Sequence, residues 1–257
     1  MSSANVAPTP WREYHLEGGE TQSVVIGPLR IDLRRENGEI WIAWSRSVDG
    51  ESADAPSEWV RWAAPGVEGS VTLRPTLPDR ALVVAPEVSF NLAPHSEARI
   101  YVRVPLVAQI VLGDRAQTVL REVPTIVMSN TWWGDFVGGE LCYWLPTTAR
   151  RTLEPEHFLS HLVACPVNIE NRSESVLEAE KSAVRVAYLS IFGEEGRLWA
   201  DETRVVYSGD EEGSEIDMLG EAPAEAPGAV LIAPPRQRGG RGFRARTFAR
   251  LKSLSGF

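Results

Sequence analysis

The sequence predicts an all-β protein made of two antiparallel β-sandwich-like units and a basic C-terminal tail. Hydrophobic residues alternate with a period of two over many short segments, and prolines separate these segments. Short strands at intervals of roughly 8–12 residues, with turn residues between them and no long helical pattern, are typical of a sandwich. Of the 257 residues, 43% are hydrophobic, which excludes a disordered chain.

The clearest single element is a hairpin around Asn37-Gly38. Apolar and polar residues alternate on both sides of this dipeptide, in 29–34 and in 40–44. Asn-Gly is favoured in a two-residue hairpin turn because both turn residues take positive φ. Further strands of the N-terminal unit are predicted at 58–62, 70–74, 81–85, 88–92 and 98–105.

The second half continues in the same style without repeating the sequence. Strands are predicted there at 118–128, 140–145, 162–170, 176–180, 183–192 and 198–207. We assign the two units to 1–124 and 125–219, and a Pro/Ala-rich linker with the basic tail to 220–257. One continuous double sandwich is the competing arrangement.

Charge is unevenly distributed along the chain. Residues 236–257 hold seven of the 26 cations and none of the 35 acids, so the net charge of −9 combines a body at −16 with a tail at +7. An acidic body repels nucleic acid and anionic lipid, so only the tail is suited to attract them.

The tail has several interpretations. The tail docks on an acidic protein surface, which includes this protein's own body, or it is a solvated end. A further alternative is contact with anionic lipid or with RNA. Of these two, nucleic acid is the less expected partner. Residues 243–257 suggest a short amphipathic helix. The residues expected to meet a partner are Arg241, Arg244, Arg246, Phe248, Arg250 and Lys252.

The cysteines and the N-terminus bear on the compartment. Cys142 and Cys165 are expected to be free thiols, because a chain of this size needs no disulfide to hold its core. The first residues are polar and lack the basic start and apolar run of a secretory signal. No apolar stretch approaches the roughly 20 residues that span a bilayer. The sequence therefore predicts a cytoplasmic protein with no transmembrane segment.

The best candidate for a ligand site is the aromatic and glycine-rich segment 130–140. Its candidate ligand-binding residues are Asn130, Trp132, Trp133, Asp135 and Glu140. Aromatic rings stack on sugars or bases, and a neighbouring carboxylate accepts hydrogen bonds from them. The alternative is that the two tryptophans close the end of a β-sandwich core, as buried aromatics commonly do.

Other chemistry has weaker support. His157, His161 and Cys165 are spaced by four, but in a strand this spacing separates Cα atoms by about 13 Å, too far for one metal ion. No nucleophile elbow, phosphate loop or dinucleotide fingerprint is present. We therefore assign no catalytic residue, no metal and no cofactor.

The chain contains six distinctive short strings, at residues 75–80, 98–105, 129–135, 139–143, 165–167 and 253–257. Together these strings resemble the uncharacterised prokaryotic family DUF432. The resemblance covers most of the chain and implies a cytoplasmic prokaryotic setting. It brings no catalytic residue with it, because the family has no assigned reaction.

Two functions follow as hypotheses. The first is a non-catalytic interaction or regulatory module, indicated by the charged tail, the aromatic segment and the lack of a catalytic motif. The second is a protein that binds or processes a carbohydrate-like ligand at residues 130–140. The first requires an exposed apolar patch or an ordered tail, and the second requires these side chains to converge in one pocket.

Overall fold

The computed structural model describes residues 9–47, 53–56, 58–63, 69–113, 118–209, 214–238, 243–245 and 248–249; for 146–148, 243–245 and 248–249 it describes the backbone alone. Strands hold 58% of the residues and helical turns 3%, so the predicted all-β class is confirmed. The two helical elements among them are single 3₁₀ turns, Pro155–His157 and Val186–Tyr188. The described part of the chain contains no helix long and apolar enough to cross a membrane.

The strands are numbered in chain order. The first eleven are β1 (Glu13–His15), β2 (Thr21–Ile26), β3 (Leu29–Glu36), β4 (Glu39–Arg46), β5 (Trp59–Ala63), β6 (Ser70–Thr76), β7 (Leu82–Pro86), β8 (Phe90–Leu92), β9 (Ser96–Pro105), β10 (Val107–Leu112) and β11 (Thr118–Pro124). The others are β12 (Ser129–Trp133), β13 (Glu140–Arg150), β14 (Leu162–Asn171), β15 (Leu177–Ala179), β16 (Lys181–Val184), β17 (Ile191–Glu194), β18 (Arg197–Ala200), β19 (Thr203–Tyr207), β20 (Ser214–Met218), β21 (Val230–Ala233), β22 (Phe243–Ala245) and β23 (Phe248–Ala249).

The first compact unit comprises 1–76, 105–127 and 159–161. One of its sheets is the antiparallel meander β2-β3-β4-β5, and the other has the order β1-β6-β10-β11. The two sheets share one hydrophobic core, to which Ile31 and Ile42 contribute from the first sheet and Leu73 and Ile110 from the second. This unit is therefore a β-sandwich, in which each sheet buries one face against the other.

The predicted hairpin at Asn37-Gly38 is confirmed. Strands β3 and β4 pair antiparallel with Glu36 opposite Glu39, and both turn residues have positive φ, 51° at Asn37 and 76° at Gly38. The turn residues fix this register, and the alternating pattern then directs Ile31, Leu33 and Ile40 into the core.

The second compact unit comprises 77–104, 128–158 and 162–257. Its main sheet follows the order β21-β17-β18-β14-β9-β13-β7-β16-β23, with β12 on β13, and with β19, β20 and β22 extending in turn from β14. The pairs β7–β13, β14–β18 and β14–β19 run parallel, so this described sheet is mixed, unlike the purely antiparallel arrangement expected from sequence. Parallel neighbours need long crossovers, which local sequence patterns do not reveal.

The two units differ from the consecutive segments 1–124 and 125–219 predicted from sequence. Residues 77–104 join the second unit, while 105–127 return to the first. Prolines mark where strands end, but they do not indicate which strands pair.

The segment 220–235 is packed, unlike the linker expected there. Ala226 is fully buried and belongs to a small hydrophobic cluster with Ala164 and Trp199. Residues Val230–Ala233 form β21, which pairs with β17. Proline and alanine content alone therefore does not distinguish an extended linker from an ordered segment.

The tail contains two described strands, where a helix was suggested. Strand β22 pairs antiparallel with β20, and β23 pairs antiparallel with β16. Of the residues expected to bind a partner, Arg244 lies in β22 and Phe248 in β23. The others, Arg241, Arg246, Arg250 and Lys252, lie outside the described residues.

Candidate ligand-binding cleft in the second unit

The antiparallel hairpin of β12 and β13 places the candidate residues on two opposite faces. Asn130 is opposite Tyr143, and Trp132 is opposite Leu141. Because side chains alternate along a strand, these four share one face, and Trp133 shares the other face with its partner Glu140.

Trp133 lies in the core of the second unit. Trp133 is 6% exposed, and it packs in a cluster with Ala81, Val83, Cys142 and Ala183. This position is the one expected if a tryptophan closes the end of a β-sandwich core. Trp132 is 51% exposed, so the two adjacent tryptophans have different environments.

Asp135 organises the loop between the two strands. Its carboxylate accepts hydrogen bonds from the backbone N–H groups of Val137 (3.0 Å) and Gly138 (2.6 Å). Its carbonyl oxygen accepts one from the indole N–H of Trp132 at 3.0 Å. A carboxylate engaged in this way stabilises the turn. Gly134 has a φ of 107°, and a Cβ there would lie 2.8 Å from the Cα of Gly139, so the turn requires glycine.

Arg80 crosses the exposed face of the hairpin. Its Nη1 donates a hydrogen bond to Oδ1 of Asn130 at 3.0 Å, and its guanidinium carbon lies 5.2 Å from the centre of the Tyr143 ring. The hydroxyl of Tyr143 donates to the carboxylate of Asp79 at 2.9 Å. The Arg80 side chain is 36% exposed, so these neighbours orient a guanidinium that solvent still reaches.

A second arginine approaches the same hairpin from β16. Arg185 directly follows this strand, and its side chain is 8% exposed. Its guanidinium forms an ion pair with the carboxylate of Glu140, which is 43% exposed. A buried guanidinium requires such a partner, because burying an isolated charge is costly.

These two arginine groups line one open cavity of about 200 Å³. We call this cavity, together with its lining residues, the cleft. It is lined by Asp79, Arg80, Ala81, Glu140, Leu141, Arg185, Ala187, Tyr188 and Gln237. Of the five candidate residues from the sequence, Glu140 lines the cleft, and Asn130 is connected to it through Arg80. Trp132, Trp133 and Asp135 are not among the residues that line it.

Sequence reasoning did not select several residues of the cleft as candidates. Asp79 and Arg80 lie in the string 75–80, and Leu141 lies in 139–143, two strings on which the family resemblance was drawn. Arg185 is the single charge within the apolar segment 183–192, which was predicted as a strand. A lone charge in such a strand indicates a buried partner, and this signal was available from the sequence.

The protonation of neighbouring groups limits the chemistry of this region. Burial, and then the hydrogen bond to Asp79, raise the pKa of Tyr143, which keeps its hydroxyl a donor. Burial raises the pKa of Cys142 to about 11, and burial also raises the pKa of Cys165. Both thiols are therefore protonated at neutral pH, and the thiolate is the reactive form of cysteine.

Among the described residues, no three His, Cys, Asp or Glu side chains lie close enough together to hold one metal ion. His157 lies in the first 3₁₀ turn, where its Nδ1 accepts the backbone N–H of Glu154 at 2.8 Å. That contact gives His157 a local structural role as part of a helix cap.

Fold and cleft together define an all-β protein with a small, polar cavity between guanidinium and carboxylate groups. The chain belongs to the DUF432 family, whose members are described as proteins of unknown function; the family's profile matches residues 10–252, nearly the whole chain. This confirms the resemblance drawn from the short strings. No curated protein and no solved structure matches the chain.

Proposed function

We propose that this protein is a non-catalytic, regulatory binding module of the prokaryotic cytoplasm whose cleft takes up a small hydroxyl-rich anion, a sugar phosphate or sugar acid. The observation that carries the proposal is the presence of Arg80 and Arg185 on the wall of one open cavity that also exposes carboxylates. Guanidinium groups bind phosphate and carboxylate through paired N–H donors, and carboxylates accept hydrogen bonds from sugar hydroxyls.

Arg80 is the residue best suited to bind the anionic group. Asn130 and the Tyr143 ring hold its guanidinium in place while 36% of the side chain stays exposed. An arginine that is already oriented loses less conformational freedom when it binds an anion. Arg185 adds a second positive charge to the wall, although its pairing with Glu140 already neutralises part of it.

The acids of the cleft suit the recognition of hydroxyl groups. Glu140 is 43% and Asp79 is 59% exposed, so each has a carboxylate within reach of a ligand. The cavity of about 200 Å³ is smaller than the roughly 300–1,000 Å³ typical of drug-sized ligands, which favours a single sugar ring over a nucleotide.

A non-catalytic role is supported by what these groups already contact. Glu140 is paired with Arg185, and Asp79 accepts the Tyr143 hydroxyl. The nearby Cys142 thiol is protonated and buried. A general base or nucleophile must be free to contact the reacting group of the substrate, and these side chains are already engaged with other residues.

The second proposal, an enzyme that processes a carbohydrate centred on residues 130–140, has one observation in its favour. Trp132 is half exposed opposite Leu141, a residue of the cleft, and an exposed indole offers a surface for stacking a sugar ring. Incubation of the protein with glucose 6-phosphate distinguishes the two proposals: released inorganic phosphate or an altered sugar supports the enzyme, and an unchanged ligand supports the binding module.

Titration calorimetry tests the binding proposal. We expect glucose 6-phosphate to bind, neutral glucose to bind more weakly, and Arg80→Ala to lose at least tenfold in affinity, because a hydrogen bond to a charged group contributes about 1.5–3 kcal/mol. The matched control is Arg172→Ala, which removes an arginine paired with Glu170 at the surface of the same unit. Equal affinity of Arg80→Ala and the native protein for glucose 6-phosphate would overturn the proposal.

A further inference from the structure

The chain beyond Pro235 contacts both walls of the cleft. The side chain of Arg236 donates from Nε to the carbonyl oxygen of Leu77, which lies two residues before Asp79. The backbone N–H of Gln237 donates to the carbonyl oxygen of Ala187 at 2.9 Å. Ala187 and Gln237 both line the cavity, so the start of the basic tail is part of the cleft wall.

The tail then pairs with a strand that leads directly to Arg185. In β23, Phe248 is opposite Ser182 and Ala249 is opposite Lys181 of β16. Strand β16 ends at Val184, the residue before Arg185. Anything that displaces β23 therefore frees the edge of the strand that positions one of the two guanidinium groups.

The net charges of tail and body favour docking of the tail, which also pairs with β20 through β22. Arg244 of β22 is the register partner of Glu215 of β20. The tail as a whole carries +7 against a body at −16, and opposite net charges attract. The three described tail segments, Arg236–Arg238, Phe243–Ala245 and Phe248–Ala249, are called the C-terminal strap below.

We propose that the C-terminal strap regulates the cleft, so that docking of the strap and binding of the anionic ligand favour each other. This inference rests on the proposed function, because it concerns the same cavity. A ligand held by Arg185 or Gln237 contacts a wall that the strap helps to build, so it binds better when the strap is docked. The coupling is reciprocal by thermodynamic necessity.

The reciprocal coupling also links ligand binding in the cleft to the binding of a partner protein by the basic tail. An acidic protein surface that captures the strap would release the ligand, and a bound ligand would withhold the tail from that surface. Edge pairing also serves the protein itself, since β20 and β16 would otherwise present unpaired ladder groups to other chains.

The test uses the full-length protein and compares Phe248→Pro with Phe248→Leu by titration with glucose 6-phosphate. Proline lacks a backbone N–H and disfavours strand pairing, whereas leucine keeps the N–H and is compatible with a strand. We expect Phe248→Pro to lose at least about fivefold in affinity, the lower end of typical coupling between sites, and Phe248→Leu to bind as the native protein does. Thermal unfolding of both variants tests whether the body remains folded.

A second variant covers the case in which the proline variant does not fold. Glu215→Lys places like charges opposite each other between β20 and β22, and Glu221→Lys, an exposed substitution in the same unit, is its control. We expect the first to weaken glucose 6-phosphate binding and the second to leave it unchanged. If the native protein binds and neither strap variant loses affinity, the coupling is wrong and the binding function stands. If the native protein does not bind, both proposals are wrong.

Discussion

Arg99 forms a two-point salt bridge with Glu225, which lies 126 residues further along the chain. Nε and Nη2 of Arg99 donate to the two carboxylate oxygens of Glu225 at 2.8 and 2.9 Å, and the hydroxyl of Tyr101 donates to the same carboxylate at 2.6 Å. The contact holds the segment 220–229 against β9. This segment leads into the C-terminal strap, so the salt bridge anchors the part of the chain that precedes the strap in sequence.

Glu225→Gln tests that anchor. Burial disfavours the charge on Glu225, but the hydrogen bonds from Arg99 and Tyr101 outweigh burial and hold its pKa below the ordinary value. We expect the substitution to lower the free energy of unfolding by about 1–2 kcal/mol, since charge-assisted hydrogen bonds contribute this much and the site is partly exposed. Urea denaturation measures it.

The control for Glu225→Gln is Glu174→Gln, whose carboxylate pairs with His95 and is 92% exposed. We expect little change there. Because the pKa of Glu225 is lowered on folding, its contribution is present at neutral pH and is lost as the pH falls through the acidic range. Equal stability of both variants at neutral pH would show that the anchor contributes nothing.

Asp201→Asn tests a buried carboxyl group with the opposite behaviour. Asp201 is 1% exposed and accepts the backbone N–H groups of Ser190 (2.6 Å) and Gly220 (3.1 Å). Burial raises its pKa from 3.8 to about 6, although the backbone hydrogen bonds oppose the shift. The folded protein therefore holds this proton more tightly than the unfolded chain does.

The sign of the pH effect follows. The contribution of Asp201 to stability is full below about pH 4 and declines as the pH rises through 6. We expect the free energy of unfolding of the native protein, relative to Asp201→Asn, to fall by on the order of 3 kcal/mol between pH 4 and 7. Urea denaturation at several pH values measures this difference, and a difference that is independent of pH would contradict the raised pKa.

Trp133→Ala and Trp132→Ala form a matched pair. Trp133 is buried among core residues, so its removal leaves a cavity and should lower the free energy of unfolding by about 3–5 kcal/mol. Trp132 is half exposed, and its removal should cost less than about 1 kcal/mol. Thermal and urea unfolding compare the two, and the reverse order would show that the hairpin faces are assigned wrongly.

Asn171→Ala tests a buried amide that holds three chain segments together. Its Nδ2 donates to the carbonyl oxygens of Leu92 (3.0 Å), Ala93 (3.1 Å) and Ser175 (2.9 Å). Of the three acceptors, Leu92 is a buried residue and Ala93 and Ser175 are exposed, and a buried carbonyl left without a donor costs about 1–3 kcal/mol. We therefore expect a loss of about 1–3 kcal/mol in the free energy of unfolding. Ser173→Ala, which removes one hydroxyl donor to Asn171, should cost less; equal losses would contradict the central role of the amide.

The sequence predicted what depends on neighbouring residues. The hairpin at Asn37-Gly38 was predicted because the turn and the alternation are both local. For the segment 130–140 the sequence treated Trp132 and Trp133 as one pair, whereas their pairing in β12 places them on opposite faces. Which face is buried depends on distant packing against Ala81 and Ala183.

What the sequence did not predict depends on residues far apart in the chain. Arg80 approaches Asn130 across 50 residues, and Arg185 meets Glu140 from another strand. The parallel pairing of β7 with β13 brings these segments together, and no local pattern specifies such a pairing. The cleft therefore became visible only in the folded chain, even though Asp79, Arg80 and Glu140 lie in strings noticed in the sequence.

A crystal structure of the protein grown with glucose 6-phosphate tests the central claim most directly. The account predicts that the phosphate lies in the cleft, with its oxygens within hydrogen-bond distance of the Arg80 guanidinium and the sugar hydroxyls near Asp79 or Glu140. A cleft without ligand, in crystals where calorimetry shows binding under the same conditions, would contradict it and place the binding site elsewhere on the chain.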